Sequence, residues 1–194
     1  MVRVFEKPLP PGWSYPCTVE EIEQQLLTFP PEDLAGLAVI CLVPALRRDL
    51  EDRGVDGRYC RSQDKPKICL YGWPDSFAYK FPKGTKRHHL AHLDVERGFG
   101  MHVEQIGRRW FCRWDREDWR RFVLEHVLPH EIGHHVYGLS EELAEDYALR
   151  YLRSLNREAD ALSSRKKEFR PHHNSSGFDP GKRSATPLRQ TDKG

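Results

Sequence analysis

Apolar positions along the chain change period several times, and each change marks an element. After Thr18, with Glu20 and Glu21 in the first turn, Ile22, Leu26 and Leu27 recur at helical spacing, so a short helix is expected to end before Pro30. Leu37 to Val43 is a compact apolar run closed by Pro44, and Lys67 to Tyr71 is a second run closed by Gly72 and Pro74; both read as strands. The charged stretch 45–65, with Gly54 and Gly57, reads as a loop or short helix. Phe99 to Gln105 and Arg109 to Trp114 read as two strands of a hairpin turning at Gly107.

From Asp115 the period becomes helical and stays so. Asp115 fits an N-cap, Glu117 and Asp118 suit the positive end of the helix, and Trp119, Phe122, Val123, His126, Val127, His130 and His134 line its pattern up to Gly138. Ser140 caps a second helix with Glu141 and Glu142 in its first turn and Ala144, Ala148, Leu152 and Leu155 on its inner face. The link between the two helices is so short that they are expected to run antiparallel. The Pro-rich start forms an extended arm over 1–16, and the apolar period fades after 155. The chain therefore divides into an arm (1–16), one domain (17–155) and a tail (156–194) expected to be disordered. The fold class expected is α+β: a small, mostly antiparallel sheet packed on the helix of His130 and His134, followed by an antiparallel glutamate-bearing helix.

Charge sharpens the division. Residues 156–194 hold nine Lys and Arg against five Asp and Glu, which leaves 22 against 24 in the rest of the 194 residues. The body is close to neutral and has no basic stripe, so nucleic acid is a poor fit as a partner and weak contact through the tail is the minority reading. No apolar run reaches membrane-spanning length, and Met1 to Trp13 has no apolar signal core. Five cysteines, an odd number with no CxxC, argue against a disulfide framework; the expectation is a reduced, cytoplasmic protein, with Cys60 and Cys69 the pair the sequence leaves open.

The chemistry concentrates in Pro129-His130-Glu131-Ile132-Gly133-His134-His135. Helical residues four apart share a face, so His130 and His134 can aim both imidazoles at one ion. Two neutral nitrogens suit Zn2+. Glu131, one position on, can reach a water on the metal and act as general base. A third ligand must come from the next helix. Equal distances from the turn favour Glu145, with Glu141 close behind and Glu142 third. His126 extends the histidine line by a turn and is read as structural. His88, His89 and His92 read as a basic loop, and His172 and His173 as exposed tail residues. Pro129 removes one helical hydrogen bond and crowds the carbonyl of Glu125, so a kink or a new helix start is expected there.

With these residues the chain resembles the zincin metallopeptidases, and within them the gluzincins, in which HExxH on one helix is followed by a glutamate on the next. Glu141-Glu142-Leu143-Ala144-Glu145-Asp146-Tyr147-Ala148 is similar to the pattern of small bacterial and phage zinc metallopeptidases. That resemblance implies Glu141 as ligand and Glu145 as supporter of a ligand histidine. An ExxxD reading would instead select Glu142 and Asp146, and the three alternatives stay open on sequence. The resemblance further implies zinc-dependent hydrolysis of a peptide or protein substrate, and an edge strand, 99–105 or 109–114, that pairs with it. Tyr137, Tyr147, Tyr151 and His135 are the oxyanion donors it suggests. The alternative is a non-catalytic metal-binding module that binds a protein partner.

Overall fold

The computed structural model describes residues 2–46, 56–61, 65–74, 79–81, 94–106 and 109–168. The basic tail beyond 168 and the His88, His89 and His92 cluster lie outside them. The chain divides into two units, 1–158 and 159–194; in the second, the described residues continue the last helix. No helix among the described residues is long and apolar enough to cross a membrane.

The first unit is mixed α and β. Strands β1 (Arg3–Glu6), β3 (Val39–Pro44) and β5 (Lys67–Pro74) lie side by side and parallel. On the far side of β5, β4 (Gly57–Cys60) and β2 (Trp13–Ser14) pair antiparallel along its length. A separate antiparallel sheet has the order β6 (Tyr79–Phe81), β8 (Arg109–Arg113), β7 (His102–Ile106). The hairpin expected at Gly107 is thus two strands of this smaller sheet. The larger sheet departs from the expectation of a mostly antiparallel one, because its centre is parallel. A parallel neighbour needs a crossover, and helix α1 (Val19–Leu26) supplies one between β1 and β3. The N-terminal segment is extended, as expected, but pairs into the sheet at β1 and β2. The stretch 45–65 contains a strand, β4, where a loop or helix was expected.

Thr18 closes a capping box on α1: it accepts from the Glu21 backbone N–H at 3.2 Å, and the Glu21 carboxylate accepts from the Thr18 N–H at 2.8 Å. One face of the sheet (Ile40, Leu42, Ile68, Leu70) packs with Ile22 and Leu26 of α1 and with Val123, Val127, Leu128 and Ile132 in a single buried cluster. The last four belong to a long helical rod: α2 (Arg116–Phe122), a π-helical turn (Val123–Val127) and α3 (Leu128–Tyr137). The π turn answers the problem posed by Pro129. The Leu128 N–H bonds to the Val123 carbonyl five residues back, and the widened turn makes room for the proline ring without breaking the rod.

Gly138, at φ 82°, ends α3, and Ser140 caps α4 (Glu141–Glu168) by accepting from the Leu143 N–H at 3.3 Å. The second helix runs well past 155, where apolar periodicity fades. Residues 157–168 contain Ala, Leu, Arg, Lys and Glu, good helix formers that carry the backbone on. Helices α3 and α4 meet at Gly133, where a methyl group would sit 2.8 Å from Cα of Ala144 and 3.0 Å from its carbonyl oxygen. Ala144 itself is fully buried.

A buried acid anchors β4. The Asp56 carboxylate accepts from the indole N–H of Trp73 at 3.1 Å and of Trp119 at 3.0 Å, tying the start of β4 to β5 and α2. Burial pushes its pKa up to about 6 despite those two donors. Glu96 is pushed up to about 8 by burial and by the negative charge of Asp56.

Two predictions follow from the packing. Gly133→Ala should lower the melting temperature, although alanine is the better helix former by about 1 kcal/mol. The methyl group meets backbone, which cannot rotate away, and overpacking of this kind costs about 1–3 kcal/mol. Asp56 and Glu96 hold their protons more tightly folded than unfolded, so their contribution is full at acid pH and lost as pH rises through about 6 and about 8. The melting temperature of the wild type, relative to Asp56→Asn/Glu96→Gln, should therefore fall by on the order of 5 °C between about pH 5 and about pH 8. A difference that stays flat across that range would contradict the assignment.

Candidate metal centre

The close contact at Gly133 sets two carboxylates of α4 against two imidazoles of α3. Glu141 Oε2 lies 3.3 Å from His130 Nε2 and 3.5 Å from His134 Nε2. These three donor atoms all fall within 4.8 Å of one another. Glu145 sits one turn further along α4, on the other side of the His130 ring, with Oε2 3.2 Å from Nδ1. The contacts separate two of the three acids that sequence left open. Glu141 joins the converging nitrogens, whereas Glu145, favoured by counting from the turn, faces the opposite ring nitrogen. Gly138 closes α3 through His134 O, and α4 starts directly after Ser140.

Each ligand-side nitrogen is left free by a partner on the other nitrogen. His134 Nδ1–H donates to the Gly138 carbonyl at 3.0 Å, and His130 Nδ1–H donates to Glu145. With Nδ1 engaged in this way, Nε2 is the ring atom that faces Glu141 on both histidines. His126 lies behind them, buried and stacked on Phe122 with ring centroids 5.4 Å apart, and its Nε2 reaches Glu145 Oε2 at 3.4 Å. His126 Nδ1 is buried with no hydrogen-bond partner among the described residues. The chain His126–Glu145–His130 is a support, not a third imidazole in the cluster. Burial alone would raise the Glu145 carboxyl, but His126 and His130 outweigh it and hold the group well below the usual carboxylate range. Burial pulls His130 down, and the carboxylates of Glu145, Glu131 and Glu141 together raise it.

Glu131 occupies the side of α3 that meets β4. It is buried, and burial pushes its pKa up to about 7, partly offset by His130 and by the backbone N–H of Tyr59. Gly57 makes room for it: a Cβ there would lie 2.7 Å from Val127 Cγ1 and 3.1 Å from Glu131 Cγ. The sequence signal for this contact, a glycine before Arg58-Tyr59-Cys60, is too short to read as a strand. Glu142 appears in none of these contacts.

The suggested oxyanion donors are engaged elsewhere. Tyr147 donates to Asp33 at 2.6 Å, and Tyr151 meets Gln25 and Thr28. Arg150 donates to the Tyr137 hydroxyl at 3.4 Å. His135 bonds the Ala35 carbonyl through Nε2 at 2.9 Å and meets the Tyr59 hydroxyl through Nδ1 at 3.3 Å.

The donor set suits a divalent cation. Ligand atoms of a tetrahedral zinc with bonds of about 2.0–2.1 Å lie about 3.3 Å apart, close to the separations of Glu141 from the two nitrogens. The side chain of Glu141 is 80% exposed while those of His130 and His134 are 15% and 9%, so the cluster opens to solvent on the Glu141 side. No protein-family model matches the chain, and no curated protein or solved structure matches it either.

The two acids should differ in their effect on zinc affinity, measured by competition with a chromogenic chelator. Glu141→Ala should weaken binding by more than about 100-fold, Glu145→Gln by about 10–100-fold through loss of ring orientation, and Glu142→Ala should change little. Equal losses for Glu141 and Glu142 would contradict the arrangement.

Proposed function

We propose that the chain is a zinc-dependent hydrolase of the HExxH type that cleaves peptide bonds, with His130, His134 and Glu141 as metal ligands and Glu131 as general base. The observation that carries this reading is the convergence of the two Nε2 atoms with one carboxylate oxygen of the facing helix, open to solvent, beside a buried glutamate. Structural zinc sites fill all four positions with protein ligands; three leave one for chemistry. Zinc at this position would lower the pKa of a water molecule toward neutrality and polarise an acyl carbonyl.

The residues of the chain divide the remaining work. Glu131, whose pKa sits near neutrality, takes the proton of the attacking water and returns it to the leaving amine. Glu145 and the Gly138 carbonyl keep His130 and His134 in the ligating tautomer. The small residues Gly57 and Gly133 let β4 approach Glu131 on one side of α3 and α4 approach on the other. Strand β4 pairs only with β5 among the described residues, and its Tyr59 N–H faces Glu131. It therefore takes over, from the strands 99–105 and 109–114, the part of the edge that receives an extended substrate.

The test combines metal content with turnover on a quenched-fluorescent peptide library. The wild type should hold one zinc per chain and cleave library members. Glu131→Gln should keep the zinc and lose about 10²–10⁴-fold in rate. Cleavage that survives this substitution with zinc bound would remove Glu131 as the base. Stoichiometric zinc with no cleavage of any member by the wild type would favour the non-catalytic metal-binding module.

A further inference from the structure

The sheet face turned away from the core cluster carries three thiols on three adjacent strands. Cys41 of β3 and Cys69 of β5 are register partners in the parallel pair, with their sulfurs 3.3 Å apart. Neighbouring strands lie about 4.7–4.9 Å apart, within the Cα separations of about 4.4–6.8 Å that a disulfide spans. Cys60 of β4 is within hydrogen-bonding reach of Cys69. Lys67 precedes Cys69 by two residues and therefore shares its face, and both it and Lys7 act on Cys41 as positive charges. Cys41 is buried at 4% exposure, whereas Cys69 is only partly buried.

We propose that Cys41 and Cys69 form a reversible redox site, closing to an intramolecular disulfide on reaction with a low-molecular-weight disulfide such as oxidised glutathione. The roles follow from access. The hydrogen bond to Cys41 and burial hold the Cys69 thiol well above the usual thiol range, so it attacks the small disulfide as its proton passes to the Cys41 sulfur 3.3 Å away, forming a mixed disulfide and releasing one glutathione thiolate. The Cys41 thiolate then attacks the Cys69 sulfur, forming the Cys41–Cys69 bond and releasing the second glutathione thiolate. The two protons lost from the cysteines are taken up by the departing thiolates, so the small disulfide is reduced by two electrons and the pair is oxidised by two. Cys41 is suited to the second step: its sulfur lies against that of Cys69, and the charges of Lys67 and Lys7, which remain once Cys69 is in the mixed disulfide, favour its thiolate. Cys17 is the internal control, since burial pushes its thiol up to about 12 and should keep it unreacted. The site is independent of the metal centre and of the hydrolase reading.

The experiment treats the native full chain with oxidised glutathione, blocks remaining thiols, and maps linkages by mass spectrometry of an unreduced digest. Wild type and Cys60→Ser should both lose two hydrogens and yield a Cys41–Cys69 linkage that reduced glutathione reverses. Cys41→Ser/Cys60→Ser should stop at a stable glutathione adduct on Cys69. A Cys60–Cys69 linkage as the main wild-type product would overturn the proposal. So would adducts without an internal bond, or thiols that react only after unfolding in guanidinium; the wild-type map alone decides if a variant fails to fold.

Discussion

A single close contact governs this molecule: Gly133 of one helix lies against the backbone of Ala144 in the next. No side chain separates the two rods there. That absence brings the first turn of the second helix within reach of His130 and His134. Glu141 and Glu145 then fall on opposite nitrogens of the same imidazole. A rod held one side chain further away would leave the histidines as an ordinary polar face. The same logic repeats across the first rod, where Gly57 lets β4 approach Glu131. Two glycines on opposite sides thus set the distances on which the proposed chemistry rests.

The electrostatics of the site follow from that crowding. Three carboxylates and three imidazoles share a small volume, and their environments push them apart. Glu145, accepting from two histidines, is held strongly ionised. Glu131, buried with one backbone donor, stays close to neutrality in its proton affinity. Groups separated in this way divide naturally into a fixed anion that orients a ligand and a base that exchanges its proton. Buried Asp56 bears a different burden: it anchors the strand beside Glu131 at a cost that grows with pH.

Much of the frame was legible in the sequence because it is local. The caps at Thr18 and Ser140, the strands around 40 and 69, the hairpin at 107 and the helical rod from 115 all announce themselves through period and capping chemistry. The pair His130 and His134, with Glu131 between them, is likewise fixed by helical spacing alone. Long-range features were less legible. The parallel pairing of β3 with β5 joins strands distant in sequence, which period alone does not give, and the edge strand Arg3–Glu6 carries too few positions for a pattern. The choice between Glu141 and Glu145 depends on the shape of the three-residue link 138–140, and counting residues cannot resolve which ring nitrogen an acid will meet. Pro129 signalled a kink or a new helix start, and it stands in the first turn of α3, directly after the π turn.

X-ray absorption at the zinc edge of the purified chain tests the central claim most directly. The account predicts a first shell of nitrogen and oxygen at about 2.0–2.1 Å with imidazole scattering from two histidines. A shell dominated by sulfur at about 2.3 Å, or a chain that retains no zinc to measure, would contradict it.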